Sequence, residues 1–281
     1  MPQSLQQITP NLWLAKSDVY TTNSGVFFSE GQACLIDPAV LPDEIHAIKN
    51  LLGGQRLKAE NLILTHHHWD HLFGPEHFPN VGVITHNAYK TALSGAGTDR
   101  TLRQVQHFEN EYKIPRSKVF RFPMPDITFE QSMTIQAGDL ALDLIHAPGH
   151  AVDQIVIFQP ESGVLWAADM LSDLEIPFVE ELHAYQHTLE MLIKLDVQAL
   201  IPGHGHVTES AAEVRGRFEE DIAYLLELRQ RVEDGLLAGK TLEEIQADSK
   251  AMSFRHPEDN AGPHLRNVEM VYREGREAET E

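Results

Sequence analysis

The chain has 281 residues, 42% of them hydrophobic, and Asp and Glu outnumber Lys and Arg 42 to 22, for a net charge of −20. That size suits one large domain or a domain with an appendage, and so acidic a balance repels phosphate backbones and anionic membranes, which argues against a nucleic-acid partner. No apolar run approaches the roughly 20 residues of a membrane span, no basic patch precedes an apolar stretch near the start, and the single cysteine, Cys34, excludes an internal disulfide and fits a reducing, cytoplasmic setting.

In chain order, strands are expected at 12–15, 24–29 and 32–37, with a hairpin turn at Ser29-Glu30-Gly31. Cys34 falls inside the third of these, so an inert core thiol is the simplest reading. Residues 42–52 carry Ile45, Ile48, Leu51 and Leu52 as a helical stripe closed by Gly53-Gly54. The run Leu62-Ile63-Leu64 then leads into Thr65-His66-His67-His68-Trp69-Asp70-His71, and 81–84 reads as another short strand. Residues 86–125 break the rhythm. A helix is expected over 101–112, with Leu102, Val105 and Phe108 inward, and the segment reads as an insertion leaning over the pocket. Three strand-and-turn pieces follow: Leu142-Asp143-Leu144-Ile145 into His146-Ala147-Pro148-Gly149-His150, Val164 to Asp169, and Ala199-Leu200-Ile201 into Pro202-Gly203-His204-Gly205-His206. A helix is expected at 183–195 between the last two. Mixed strands and helices, with polar residues at strand ends, imply two sheets packed face to face with helices outside.

After residue 208 the composition turns helical. Residues 213–235 form a long amphipathic stripe, Thr241-Leu242-Glu243-Glu244 is a capping box, and a third helix is expected over 263–273 after a loop at 257–262, with 273–281 frayed. This appendage, 209–281, can pack on the catalytic domain of 1–208, cap its pocket or make a homodimer contact. His264 and Asn267 lie three apart on the last helix, and a solvated face is preferred to substrate contact.

The chemistry concentrates at 66–71, where four metal-ligand types fall within six residues. In extended backbone His66 and His68 project to one side and His67 to the other, while Asp70 and His71 follow where the chain turns and can face a second centre. Imidazole with carboxylate suits zinc, iron or manganese in hydrolytic or oxygen chemistry better than a purely structural site. Sixteen histidines make chance clustering a fair alternative. His146 reads as support for its turn, and His206, two residues past His204, competes with it as a ligand. His46, His77, His86, His107, His183, His187 and His256 are solvated or packed.

The order H-x-H-x-D-H, P-G-H, a strand ending in Asp, and P-G-H-G resembles the metallo-β-lactamase superfamily over residues 8 to 208. The resemblance implies an αββα four-layer sandwich. It places one metal on His66, His68 and His150, a second on Asp70, His71 and His204, and Asp169 between them. Two divalent cations, zinc before iron or manganese, would then lower the pKa of a shared water and give hydroxide near neutral pH. That hydroxide would attack an electrophilic carbonyl of a small-molecule ester, lactone or thioester. Asp70 would orient the nucleophile and pass a proton to the leaving group, and Asp169 would fix the metal separation.

The same resemblance narrows the branch. True β-lactamases of the superfamily carry cysteine or serine where Asp169 stands. Acyl-homoserine lactonases place a tyrosine where Ser172 is. Flavodiiron proteins have glutamate in place of His68. Glyoxalase II-type thioesterases share a helical C-terminal region, but Lys250, Arg255 and Arg266 make no clear basic cluster here. An iron-dependent dioxygenase of persulfide type and a phosphodiesterase are the alternatives the same ligands allow.

Overall fold

A computed structural model of the chain describes residues 5–114 and 119–278. The strands form two sheets, and the chain divides into two compact units, residues 1–146 with 153–162 and residues 147–152 with 163–281.

The first unit opens with four antiparallel strands, β1 (Leu5–Thr9), β2 (Leu12–Lys16), β3 (Asn23–Ser29) and β4 (Gln32–Ile36). Ser29 pairs with Gln32, so the hairpin loop is Glu30-Gly31, and both have positive φ, 46° and 79°. That is the primed-turn geometry whose twist matches the flanking strands, and glycine meets its second position without steric cost. Helix α1 (Pro42–Gln55) carries the chain to β5 (Lys58–Ile63), which pairs parallel with β4, and β6 (Gly82–His86) continues the parallel run. Next come α2 (Tyr89–Ala92) and α3 (Ala96–Glu111), and then β7 (Ile127–Phe129) closes the seven-stranded sheet in the order β1 to β7. Three antiparallel strands complete the unit: β8 (Ser132–Ala137), β9 (Leu140–His146) and β10 (Ile155–Gln159).

Leu35, Ile48, Leu62, Leu64, Phe73 and Phe108 belong to the core beneath the larger sheet. Cys34 is fully buried, and burial pushes its thiol far up, which makes it inert as expected. Helix α3 begins five residues before the expected start and packs on the 3-10 turn Trp69–His71 through Phe108, whose ring lies 4.9 Å from that of Trp69. The insertion's Pro115 to Lys118 lie outside the described residues.

The second unit holds the parallel pair β11 (Val164–Trp166) and β12 (Ala199–Ile201), with α4 (Leu182–Leu192) between them in sequence. Helices α5 (Ala211–Leu237), α6 (Leu242–Ser249) and α7 (Pro257–Ala278) follow. Ser210 caps α5, and Thr241 with Glu244 makes the reciprocal capping box expected for α6.

Three expectations for the tail are corrected. The segment 257–262 is the start of α7, not a loop. Proline is well placed at the start of a helix, and Asn260 ties the first turn down by donating to Leu174 O at 2.9 Å. The helix also continues past Arg273 to Ala278, with 279–281 outside the described residues. His264 and Asn267 are buried, not on a solvated face. Tyr224 Oη lies 3.0 Å from His264 Nδ1 and accepts from Asn267 Nδ2 at 2.9 Å, while Asn267 Oδ1 accepts from Val179 N at 2.9 Å. They are interior polar groups with their partners supplied. Among the described residues no helix is long and apolar enough to cross a membrane.

Candidate metal centre

Each unit carries its own group of metal-ligand side chains. In the first, β5 ends at Ile63, and the chain leaves the sheet through Leu64 and Thr65 into the His66–His71 motif. The imidazoles of His66, His68 and His71 gather there, with ring centroids 4.6 Å apart for His66 and His68 and 4.3 Å for His66 and His71. His66 and His71 are buried, and Asp70 is 7% exposed with Oδ2 3.8 Å from His71 Nε2.

The orientation of these rings is fixed by a residue the sequence did not single out. Asp37 follows the last residue of β4, beside the end of β5, because the two strands pair in parallel. Its carboxylate accepts from Thr65 N at 2.8 Å, from Thr65 Oγ1 at 2.6 Å and from His71 Nδ1 at 2.9 Å. An ionised carboxylate only accepts, so His71 carries its proton on Nδ1 and turns the lone pair of Nε2 outward. Thr65 Oγ1, its proton committed to Asp37, lies 3.1 Å from His66 Nδ1 and imposes the same tautomer there. This outer shell of carboxylate and hydroxyl is what ligating imidazoles require. His67 lies on a segment that has already left the strand, so alternation does not govern it. Its ring centroid is 6.5 Å from that of His66 and 4.9 Å from that of His68, and its Nδ1 is 2.7 Å from Oδ1 of the buried Asp153. His86 and His146 stack with centroids 3.7 Å apart, and burial lowers the His86 pKa below the ordinary imidazole value.

In the second unit the parallel register does the positioning. Trp166 pairs with Ile201 at the ends of β11 and β12. Asp169 and His204 each lie three residues beyond that pair, so the two loops deliver them side by side. Asp169 Oδ2 is 3.4 Å from His204 Nε2 and 3.4 Å from His150 Nε2. His150 arrives on the Pro148-Gly149 turn, which is pinned by Thr188 Oγ1 donating to Pro148 O at 2.8 Å and by Glu180 N donating to Gly149 O at 2.8 Å. Ala168 has φ of 48°, a left-handed conformation that a non-glycine residue adopts at a cost, immediately before Asp169.

The donor set passes a simple test of fit. Ligands about 2.0–2.1 Å from a tetrahedral cation stand roughly 3.3–3.4 Å from one another. Asp169 Oδ2 keeps that separation from two imidazole nitrogens at once, longer than the roughly 2.8 Å of a charge-assisted hydrogen bond.

Gly203 guards this arrangement. A Cβ there would overlap Asp169 Oδ1 and crowd the Ala168 carbonyl. Gly203→Ala is therefore expected to displace the carboxylate and weaken metal retention about tenfold, the lower end for orienting groups. Elemental analysis after dialysis, with circular dichroism as a folding control, checks this.

His206 does not join its neighbour. Its backbone N donates to Asp173 Oδ1 at 2.7 Å, and its Nδ1 lies 2.8 Å from Oδ2. Burial would raise the Asp173 carboxyl, but these bonds and the charge of Arg217 bring it below the ordinary value.

Thus His66, His68, Asp70 and His71 lie together in one unit, and His150, Asp169 and His204 in the other. The model of the metallo-β-lactamase superfamily matches residues 17–204. The chain belongs to the metallo-β-lactamase superfamily. Among curated relatives of this superfamily member, a "Beta-lactamase-like protein 2 homolog" of Caenorhabditis elegans is 25% identical over 68% of the chain and 58% of that protein. An "Acyl-coenzyme A thioesterase MBLAC2" of Bos taurus is 28% identical over 50% of the chain and 54% of that protein. The chain therefore spans less than two thirds of the length of these relatives. A solved sec-alkylsulfatase, Pisa1 from Pseudomonas sp., shares the fold, with a TM-score of 0.74 at 19% identity over 97% of this chain and 50% of that one.

Proposed function

We propose that this superfamily member is a metal-dependent hydrolase of a small molecule, cleaving an ester, lactone or thioester, with the thioester favoured. Two divalent cations, zinc before iron or manganese, would be held by His66, His68 and His150 and by Asp70, His71 and His204, with Asp169 shared. The observation that carries the reading is Asp169 Oδ2 at ligand-to-ligand spacing from two imidazole nitrogens, 3.4 Å each. The thioester preference draws on the relative named as an acyl-coenzyme A thioesterase.

The cations would supply an acidified water and polarise the substrate carbonyl. The chain's residues do the rest. Asp37 and Thr65 hold His71 and His66 in the ligating tautomer. Asp70 would accept the proton of the attacking water and return it to the leaving group. Asp169 sets the spacing of the donors around it. The cysteine cannot serve as the nucleophile, because Cys34 is buried inside β4.

A panel of lactone, thioester and phosphodiester substrates tests the reading. Turnover of the thioester or lactone is expected. Turnover of the phosphodiester alone, or oxygen consumption with a persulfide, would contradict it.

A further inference from the structure

Trp69 stands between His68 and Asp70, and its ring is only half-buried. It meets Tyr20 edge-on at 6.2 Å and Phe108 of α3 at 4.9 Å. Above these rings lies a recess of about 360 Å³, lined by Tyr20, Trp69, Arg100, Arg103, His107 and Glu111 among others. Arg100, Arg103 and His107 are spaced to share one face of α3, while Thr101, Val105 and Phe108 turn into the core.

Glu111 lies 3.5 Å from His107, and among the described residues no carboxylate pairs with Arg100 or Arg103. On a chain of net charge −20, two guanidinium groups with no carboxylate partner make a local reversal of the field.

Tyr20 is 55% exposed and is presented by strained backbone, with φ of 50° at Tyr20 and 52° at Thr21. The loop is held in that shape by Ser17 N donating to Thr22 O at 2.8 Å and Thr22 Oγ1 donating to Val19 O at 2.8 Å. Such strain persists only where the surroundings over-determine it, and it gathers at ligand clamps.

We propose that this recess binds an anionic handle of the substrate, a phosphate or carboxylate carried on a planar or apolar body. Arg100 and Arg103 take the anion, since a guanidinium fork matches either group. Trp69 and Tyr20 take the flat part. Because Trp69 is flanked in the chain by two of the proposed metal ligands, one molecule can occupy the recess and present its scissile bond beside it. Binding energy from a remote, unreactive part of a substrate then serves the reaction. The assignment rests on the hydrolase reading for its purpose but not for its test.

Calorimetric titration of the full chain with coenzyme A (phosphates and a planar base), glutathione (carboxylates, no planar base) and neutral N-acetylcysteamine needs no turnover. At least one anionic thiol is expected to bind, more weakly as salt rises, with N-acetylcysteamine not binding. Which of the two binds separates phosphate from carboxylate recognition. Arg100→Ala and Arg103→Ala, both exposed and safe for folding, should each weaken binding about tenfold. Equal binding by wild type and both variants, or no binding of either anionic thiol, overturns the proposal. Binding as described with no hydrolysis of the matching thioester, nor of an ester or lactone, would leave the subsite standing and remove the hydrolase reading.

Discussion

Asp169→Ala should strip the protein of metal and of hydrolysis while leaving it folded. Loss of an outer-shell partner costs roughly 10–100-fold in metal affinity or activity. Asp169 is proposed as a direct donor, with one oxygen 3.4 Å from each of two imidazoles, so the effect of its removal should exceed about 100-fold. Without the carboxylate, the cation proposed for His66, His68 and His150 would be held by neutral imidazoles alone and poorly compensated in a buried place, while the one proposed for Asp70, His71 and His204 would keep only Asp70 as an anion. The check is metal content by elemental analysis beside the rate on a thioester. Unchanged values for both would show that Asp169 is not a ligand.

Asp37→Ala should be the most destabilising substitution near the site. The Asp37 side chain is 1% exposed and accepts three hydrogen bonds. Truncation leaves Thr65 N–H, Thr65 O–H and His71 Nδ1–H without that acceptor, at about 1–3 kcal/mol for each buried group left unsatisfied. Relaxation shares the burden, so a net loss of about 3–5 kcal/mol is expected in urea melts. Asp37→Asn separates the two roles of the residue. Its amide oxygen can still accept from Thr65, so stability should fall less. Its amide nitrogen cannot accept from His71, so the ring loses the tautomer that frees Nε2, and metal affinity should still drop roughly 10–100-fold. A loss below about 1 kcal/mol for the alanine variant, with native metal affinity in the asparagine variant, would show that Asp37 does not position the ligands.

The parts of this site that were legible in the sequence are those written locally. The His66–His71 motif is contiguous, although strand alternation did not apply to it, because the strand ends at Ile63 and His67 stays 4.9 Å from His68 between ring centroids. Asp169 and His204 were legible because each closes a short apolar strand, and the register of Trp166 with Ile201 explains why those ends meet. Asp37 was not legible. Its partners lie 28 and 34 residues away, and only the parallel pairing of β4 with β5 brings them together. Asp153, 86 residues from His67, is the same case.

In the tail, Pro257, Asp259, Asn260 and Gly262 read as a loop, yet Asn260 spends its amide on Leu174 O and Arg255 O and anchors a helix instead. His264 and Asn267 looked solvated because their stretch is polar. Tyr224, contributed by α5, supplies the shared hydroxyl that lets both be buried. The strand β8 was missed for a related reason. Ser132, Thr134 and Gln136 mask an alternation in which Ile135 and Ala137 are the buried residues.

Zinc titration of the metal-stripped full chain, with elemental analysis of the product, tests the central claim most directly. Seven side chains holding two cations predict two zinc ions per chain for the wild type. They predict no more than one strongly held ion after His71→Ala, whose ring belongs to one of the proposed sites, and the same after His150→Ala, whose ring belongs to the other. A folded wild-type chain that takes up no zinc, or variants that both retain two ions at wild-type affinity, would contradict the account.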